Sequence, residues 1–249
     1  MKKRNHHGLK LIASLLLITS VSFHCHGQSK KNLLLALSKS DHTLAIVDPG
    51  SLKVLAKVPV GEDPHEVIAS ADGKTAYVSI YGGGIFHTIN IIDLVAQKAK
   101  PEVDTKPLFG PHDLTYVNNK LWFTAEGSKA VGRLDPATNN IEWSMGTGQD
   151  RTHMLYVTND ANNIYTININ SGTVSLLNNT PQNGRENWVQ TLIPVARGSE
   201  GFDVTPDNKR AFVACTPDNY VSIIDLNTWQ VTGKLDVGKN PDGLAWAEQ

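Results

Sequence analysis

Three of the chain's nine histidines fall in one column once the sequence is cut at its recurring strand pattern. His65, His112 and His153 share that column, and Glu200 and Asp242 take it in the two remaining repeats, at spacings of 47, 41, 47 and 42 residues. Neutral imidazole and carboxylate together are ligands for Zn²⁺, Fe²⁺, Mn²⁺ or Cu²⁺. A divalent transition metal held there would polarise an ester or lactone carbonyl, or bring the pKa of its bound water to about 7. Glu66 and Asp113, each one residue further on, would then serve as orienting groups or bases. His42, Tyr81 and His87 fall in loops expected on the same face and complete a ligand-binding set. The same column also reads as structural or water-filled channel lining, or as a metal-free ligand site, and the spacing leaves all three readings open.

The elements that must position these residues are strands. Short runs rich in Val, Ile, Tyr, Phe and Thr alternate with Gly, Pro, Asn and Asp clusters, and no long segment keeps a helical period. Apolar runs close on Asp48, Asp93, Asp135, Asn178 and Asp225, at intervals of 45, 42, 43 and 47 residues. Those intervals suit four-stranded propeller blades. The closing acid or amide is expected to start a turn by bonding its own backbone two residues on. Asp72-Gly73 and Asp207-Asn208 mark a second turn in their repeats.

The repeat resembles the YVTN β-propeller repeat family. The likeness rests on Gly61-Glu62-Asp63-Pro64-His65-Glu66-Val67, on Ala71 to Ser79, on Ile91-Ile92-Asp93-Leu94, and on their recurrence at Thr205 to Ala214 and Val237 to Leu244. It spans nearly all of residues 33–249. It implies an all-β propeller of four-stranded antiparallel blades, with complete blades near 65–105, 112–148, 153–195 and 200–236. Residues 33–59 supply three strands of a fifth blade, and 242–247 supply its innermost strand. A five-bladed ring closed by pairing of the N- and C-terminal strands is therefore expected, which leaves no open sheet edge. Family members are more often seven-bladed, and this chain departs from that count.

In a four-stranded meander the connections entering the innermost strand share a face with those between the second and third strands. His42 and His87 join the column on that face. Tyr81-Gly82-Gly83-Gly84-Ile85-Phe86-His87 is glycine-rich enough to act as a flap there. No P-loop lysine or helix start follows it, so it is not a phosphate cradle.

Residues 1–27 read as a cleavable secretory signal: Lys2, Lys3, Arg4 and Lys10 precede an apolar run from Leu11 to Phe23, and Cys25 and Gly27 put small residues at the −3 and −1 positions of the expected cut before Gln28. Lipid anchoring through Cys25 fits less well, because Ser22 and His24 make a poor lipobox. A periplasmic or secreted protein is expected, with residues 28–249 as one propeller domain and no membrane span. Cleavage would leave 19 Lys+Arg against 24 Asp+Glu, a net charge of −5 that excludes a nucleic-acid partner. Only Cys215 would remain, so no internal disulfide forms and packing must supply stability.

Three function classes follow. The first is a monomeric extracytoplasmic binding module for a small ligand, a metal or an envelope protein. The second is a metal-assisted hydrolase or lactonase at the same face. The third is a redox partner, since related propellers are similar to the non-haem subunit of amine dehydrogenases and the haem-d1 domain of nitrite reductases. With no Cys-x-x-Cys-His in the chain, no c-type haem is expected.

Overall fold

The computed structural model describes residues 32–246; the expected signal peptide, residues 1–27, lies outside them. Every sheet is an antiparallel meander in chain order. The first has three strands, β1 (Leu34–Ser38), β2 (Thr43–Asp48) and β3 (Lys53–Pro59). The second has four: β4 (Pro64–Ala69), β5 (Thr75–Ile80), β6 (Thr88–Asp93) and β7 (Lys98–Asp104). The third comprises β8 (Pro111–Val117), β9 (Lys120–Ala125), β10 (Ala130–Asp135) and β11 (Asn140–Gly146). The fourth comprises β12 (Thr152–Val157), β13 (Asn163–Asn168), β14 (Thr173–Asn179) and β15 (Trp188–Pro194). The fifth comprises β16 (Ser199–Val204), β17 (Arg210–Cys215), β18 (Tyr220–Asp225) and β19 (Gln230–Leu235). The expected all-β blade plan holds, with boundaries within two residues. No described helix is long and apolar enough to cross a membrane.

Both faces of the middle strands are buried, so alternate residues serve different interfaces. In β5, Ala76, Val78 and Ile80 pack with Leu44, Ile46 and Val58 of the first sheet, while Tyr77 packs with Leu114 and Phe123 of the third. A third cluster joins Trp122 and Val131 to Leu155 and Ile164, and a fourth joins Tyr165 and Ile167 to Val204 and Val213. The five sheets thus share four cores, each an interface between sequence neighbours. Each fully buried Leu, Ile or Val contributes roughly 1.5–3 kcal/mol to these interfaces.

The turn chemistry follows the sequence. Asp48 accepts the backbone N–H of Gly50, Asp93 those of Val95 and Ala96, Asp135 that of Ala137, and Asp225 those of Asn227 and Thr228. Asn178 differs: its amide donates to Asn163 across the sheet at 2.6 Å. Cys215 is fully buried, as a small apolar residue would be.

One expectation is corrected. Residues 242–246 are not a strand, and the first sheet gains no fourth strand from them. The segment instead lies against the fifth sheet. Thr216 donates its hydroxyl to the Pro241 carbonyl at 2.7 Å, and Trp246 stacks on Phe212 at 6.0 Å. Trp246 sits four residues beyond Asp242, as Tyr116 sits four beyond His112, and Tyr116 stacks on Tyr77 in the same manner at 6.1 Å. The segment has the side-chain anchorage of an innermost strand without its ladder of backbone hydrogen bonds.

Candidate functional site

The column residues sit where each innermost strand is irregular. Pro64 pairs with Ile80 but Val67 with Val78, so β4 carries one residue more than its partner between them. The same irregularity lies between Pro111 and Leu114, Thr152 and Leu155, and Ser199 and Phe202. A β-bulge breaks the two-residue alternation and re-aims the side chains within it. The pairs His65–Glu66, His112–Asp113, His153–Met154 and Glu200–Gly201 therefore all stand on bulges.

Hydroxyls in the second strands lock successive bulges together. Ser79 Oγ accepts the Glu66 N–H at 3.0 Å and donates to the His112 carbonyl at 2.6 Å. Thr124 repeats this one sheet on, accepting from Asp113 N–H at 3.0 Å and donating to the His153 carbonyl at 2.6 Å. Asp113 adds a direct tie, accepting the Leu155 N–H on Oδ2 at 2.7 Å. The register equivalents in the fourth and fifth sheets are Ile167 and Ala214, which have no hydroxyl.

The three imidazoles are consequently layered. Ring centroids lie 4.1 Å apart from His65 to His112 and 4.1 Å from His112 to His153, with tilts of 53° and 45°. Tyr81 meets both His65, at 4.9 Å, and His112, at 5.1 Å and edge-on. His112 is only 3% exposed, and its Nδ1 is buried without a hydrogen-bond partner. Lys39 Nζ lies 2.7 Å from His65 Nδ1 and 3.3 Å from Asp63. An ammonium has no lone pair to offer, so His65 Nδ1 must accept and its ring proton sits on Nε2.

Glu126 anchors the other end. The Tyr81 phenol donates to one carboxylate oxygen; the other accepts from Arg151 Nε at 2.9 Å and lies 3.4 Å from His153 Nδ1. Burial by itself would raise the Glu126 pKa, but His153, Tyr81 and Arg151 outweigh it and hold the carboxyl at about 2. Burial, reinforced by the neighbouring His153 and His65, presses His112 down to about 3. Burial and Lys39 also lower His65. Asp113 is only half-buried as a residue, yet the dense surroundings of its carboxyl, with Glu66 nearby, raise it to about 7. Glu66 is raised by burial. At neutral pH the site holds His65 and His112 as uncharged rings, Glu126 as a firmly ionised carboxylate and Asp113 near its midpoint.

The structure thus brings together His65, His112, His153, Glu66, Tyr81 and Asp113. Glu200 acts on the group through its field at Arg151, while Asp242 is exposed on the segment against the fifth sheet. His42 is exposed in the turn before β2. His87 stands apart, paired with Asp104 at 2.9 Å and edge-on to Phe109. Among the described residues no group of three or more His, Cys, Asp or Glu side chains is placed to hold a metal ion.

The glycine-rich loop is packed rather than hinged. Gly82–Gly84 forms a short 3-10 turn, and a Cβ on Gly110 would come within 2.7 Å of Gly84 Cα. A Cβ on Gly127 would collide with the Gly84 carbonyl. Backbone bonds from Gly110 N–H to Phe86 and from Glu126 N–H to Gly110 complete the seam. That seam holds Tyr81 over Glu126.

Sequence reasoning missed Glu126, Arg151, Lys39, Ser79 and Thr124. Aligning the residue that follows each second strand would have exposed the pair, because Tyr81 and Glu126 occupy the same register position in adjacent sheets.

No protein-family model matches the chain, and no curated protein does. Solved structures do. Hydrazine synthase of Kuenenia stuttgartiensis is similar over 85% of this chain and 85% of its own, with a TM-score of 0.52 and 12% identity. The dihydro-heme d1 dehydrogenase NirN, in complex with DHE, is similar over 83% of this chain with a TM-score of 0.66 and 15% identity. This chain covers 44% of NirN's length. At such identities the likeness carries the propeller fold alone.

Proposed function

We propose that this protein is an extracytoplasmic binding module of the YVTN-repeat type, holding a small polar ligand on its imidazole-bearing face. The observation that carries this reading is His112 Nδ1, buried and unpartnered between two further rings. Burying a polar atom without a partner costs about 1–3 kcal/mol, a cost relieved when a ligand supplies the missing bond. A depressed imidazole pKa keeps the ring neutral, able to donate from one nitrogen and accept on the other. A cavity of about 330 Å³ beside Asp150, Asn170 and Arg197 opens on the same face, next to Arg151. The signal-like leader supports an envelope location, and the repeat motifs support the family.

Native mass spectrometry of protein purified from its cell envelope tests the reading. A bound small molecule should be released on denaturation and be absent from a His112→Leu variant that melts cooperatively. Elemental analysis of the same sample should find no stoichiometric metal; about one equivalent, lost in the His65→Ala/His112→Ala double variant, would replace this reading with the metal-dependent one.

A further inference from the structure

A cavity of about 450 Å³ lies away from the histidines. Its walls come from the turn between β4 and β5, the turn between β8 and β9, and the turn after β10, so it opens on the opposite face of the sheets. Small-molecule sites commonly occupy 300–1,000 Å³. We propose that this cavity is a second binding site, for a neutral polyhydroxylated ring such as a monosaccharide or cyclic polyol.

Tyr77 and Tyr116 form the aromatic wall, stacked at 6.1 Å with 19° between their planes. Tyr77 is 4% exposed, and neither phenol hydroxyl has a hydrogen-bond partner among the described residues. Neither is among the buried polar atoms left without a partner, so both hydroxyls reach solvent at the cavity that the two rings line. Tyr116 is also out of pattern: the register equivalents in the second, fourth and fifth sheets are Ala69, Val157 and Val204.

The charges select against an ionic ligand. Asp72 and Asp135 both line the cavity, and each is already matched by a lysine, Lys74 at 3.9 Å and Lys120 at 3.3 Å. Lys120 is matched again by Glu142 at 2.7 Å. A neutral guest leaves these pairs intact, while the carboxylates keep spare lone pairs for vicinal hydroxyls. The faces of the tyrosine rings suit the C–H faces of a pyranose, and their hydroxyls both donate and accept.

Saturation-transfer NMR with D-glucose, N-acetyl-D-glucosamine and myo-inositol tests this, with glucuronate and glucosamine as charged comparators. At least one neutral probe should receive saturation, with a Kd on the order of 1 mM. Tyr116→Ala should weaken it at least ten-fold, and Tyr77→Phe, which removes one hydroxyl and keeps the core, at least three-fold. The proposal is overturned by no transfer to any neutral probe, by tighter binding of either charged comparator, or by binding that survives both variants unchanged. The outcome is independent of the histidine face.

Discussion

Asp113 and His112 are sequence neighbours whose titrations act on stability in opposite directions. His112 has a folded pKa of about 3 against 6.5 for a free histidine, so as pH falls below 6.5 the unfolded chain takes up a proton that the folded one refuses. That lowers stability, by about 2 kcal/mol at pH 5. Asp113 is raised to about 7 from 3.8, so between these values the folded state binds the extra proton and gains stability as pH falls. The two slopes nearly cancel between pH 7 and 5. Asp113→Asn removes the second while keeping an acceptor for the Leu155 N–H. Urea denaturation of this variant should show stability falling by about 2 kcal/mol from pH 7 to pH 5, with a much flatter wild-type profile; equal profiles would mean that the two groups do not titrate as their surroundings require. At this scale the sequence revealed the histidine column, because identical residues recur at repeat spacing. It concealed Glu126 and Arg151, whose roles depend on a contact between non-identical residues of adjacent sheets.

The strands show why the column coheres. The bulges of β4, β8 and β12 would be free to drift if their backbone groups were satisfied only within their own sheets, and the Ser79 and Thr124 hydroxyls prevent this by bonding two sheets at once. Thr124→Val keeps the shape of the side chain but leaves the Asp113 N–H and the His153 carbonyl without that partner. At about 1–3 kcal/mol for each buried orphan, the variant should lose about 2–6 kcal/mol in chemical denaturation. Thr124→Ser, which deletes one methyl, should lose about 1 kcal/mol. Equal losses would show that the hydroxyl does nothing beyond filling space. Strand type and limits were legible from apolar alternation and from the aspartates that start the turns. The bulges were not, since one extra residue leaves no mark on composition and shows only when both partners of a ladder are aligned. Tyr81–His87 illustrates the same limit: three glycines suggest pliability, while the structure uses small residues there so that three loops can meet backbone to backbone.

Among the described residues, four cores join five sheets, each sheet resting on its chain neighbour. The arrangement of residues 240–246 follows from that rule. Having no strand partner, the segment takes its stability from the fifth sheet, through Thr216, the Asn219 side chain that accepts the Asn240 N–H at 2.8 Å, and the Phe212–Trp246 stack. The sequence predicted where this segment belongs in the repeat, from the Asn240-Pro241-Asp242-Gly243 signature, but not that its backbone ladder would be missing. Pairing depends on a strand about 200 residues away, and loop closure on that scale is opposed by chain entropy that local motifs do not record. Gly201 makes the docking possible, because a Cβ there would collide with the Asp242 carbonyl, whereas a Cβ on Gly243 meets nothing within 4 Å. Gly201→Ala should therefore release the segment, raising exchange of the Asn240 amide, which Asn219 holds, at least ten-fold while the β17 and β18 amides stay protected. Gly243→Ala should leave exchange as in the wild type. If Gly201→Ala exchanges no faster, the segment is held by something other than its seat on the fifth sheet, and its anchorage cannot be that of an innermost strand.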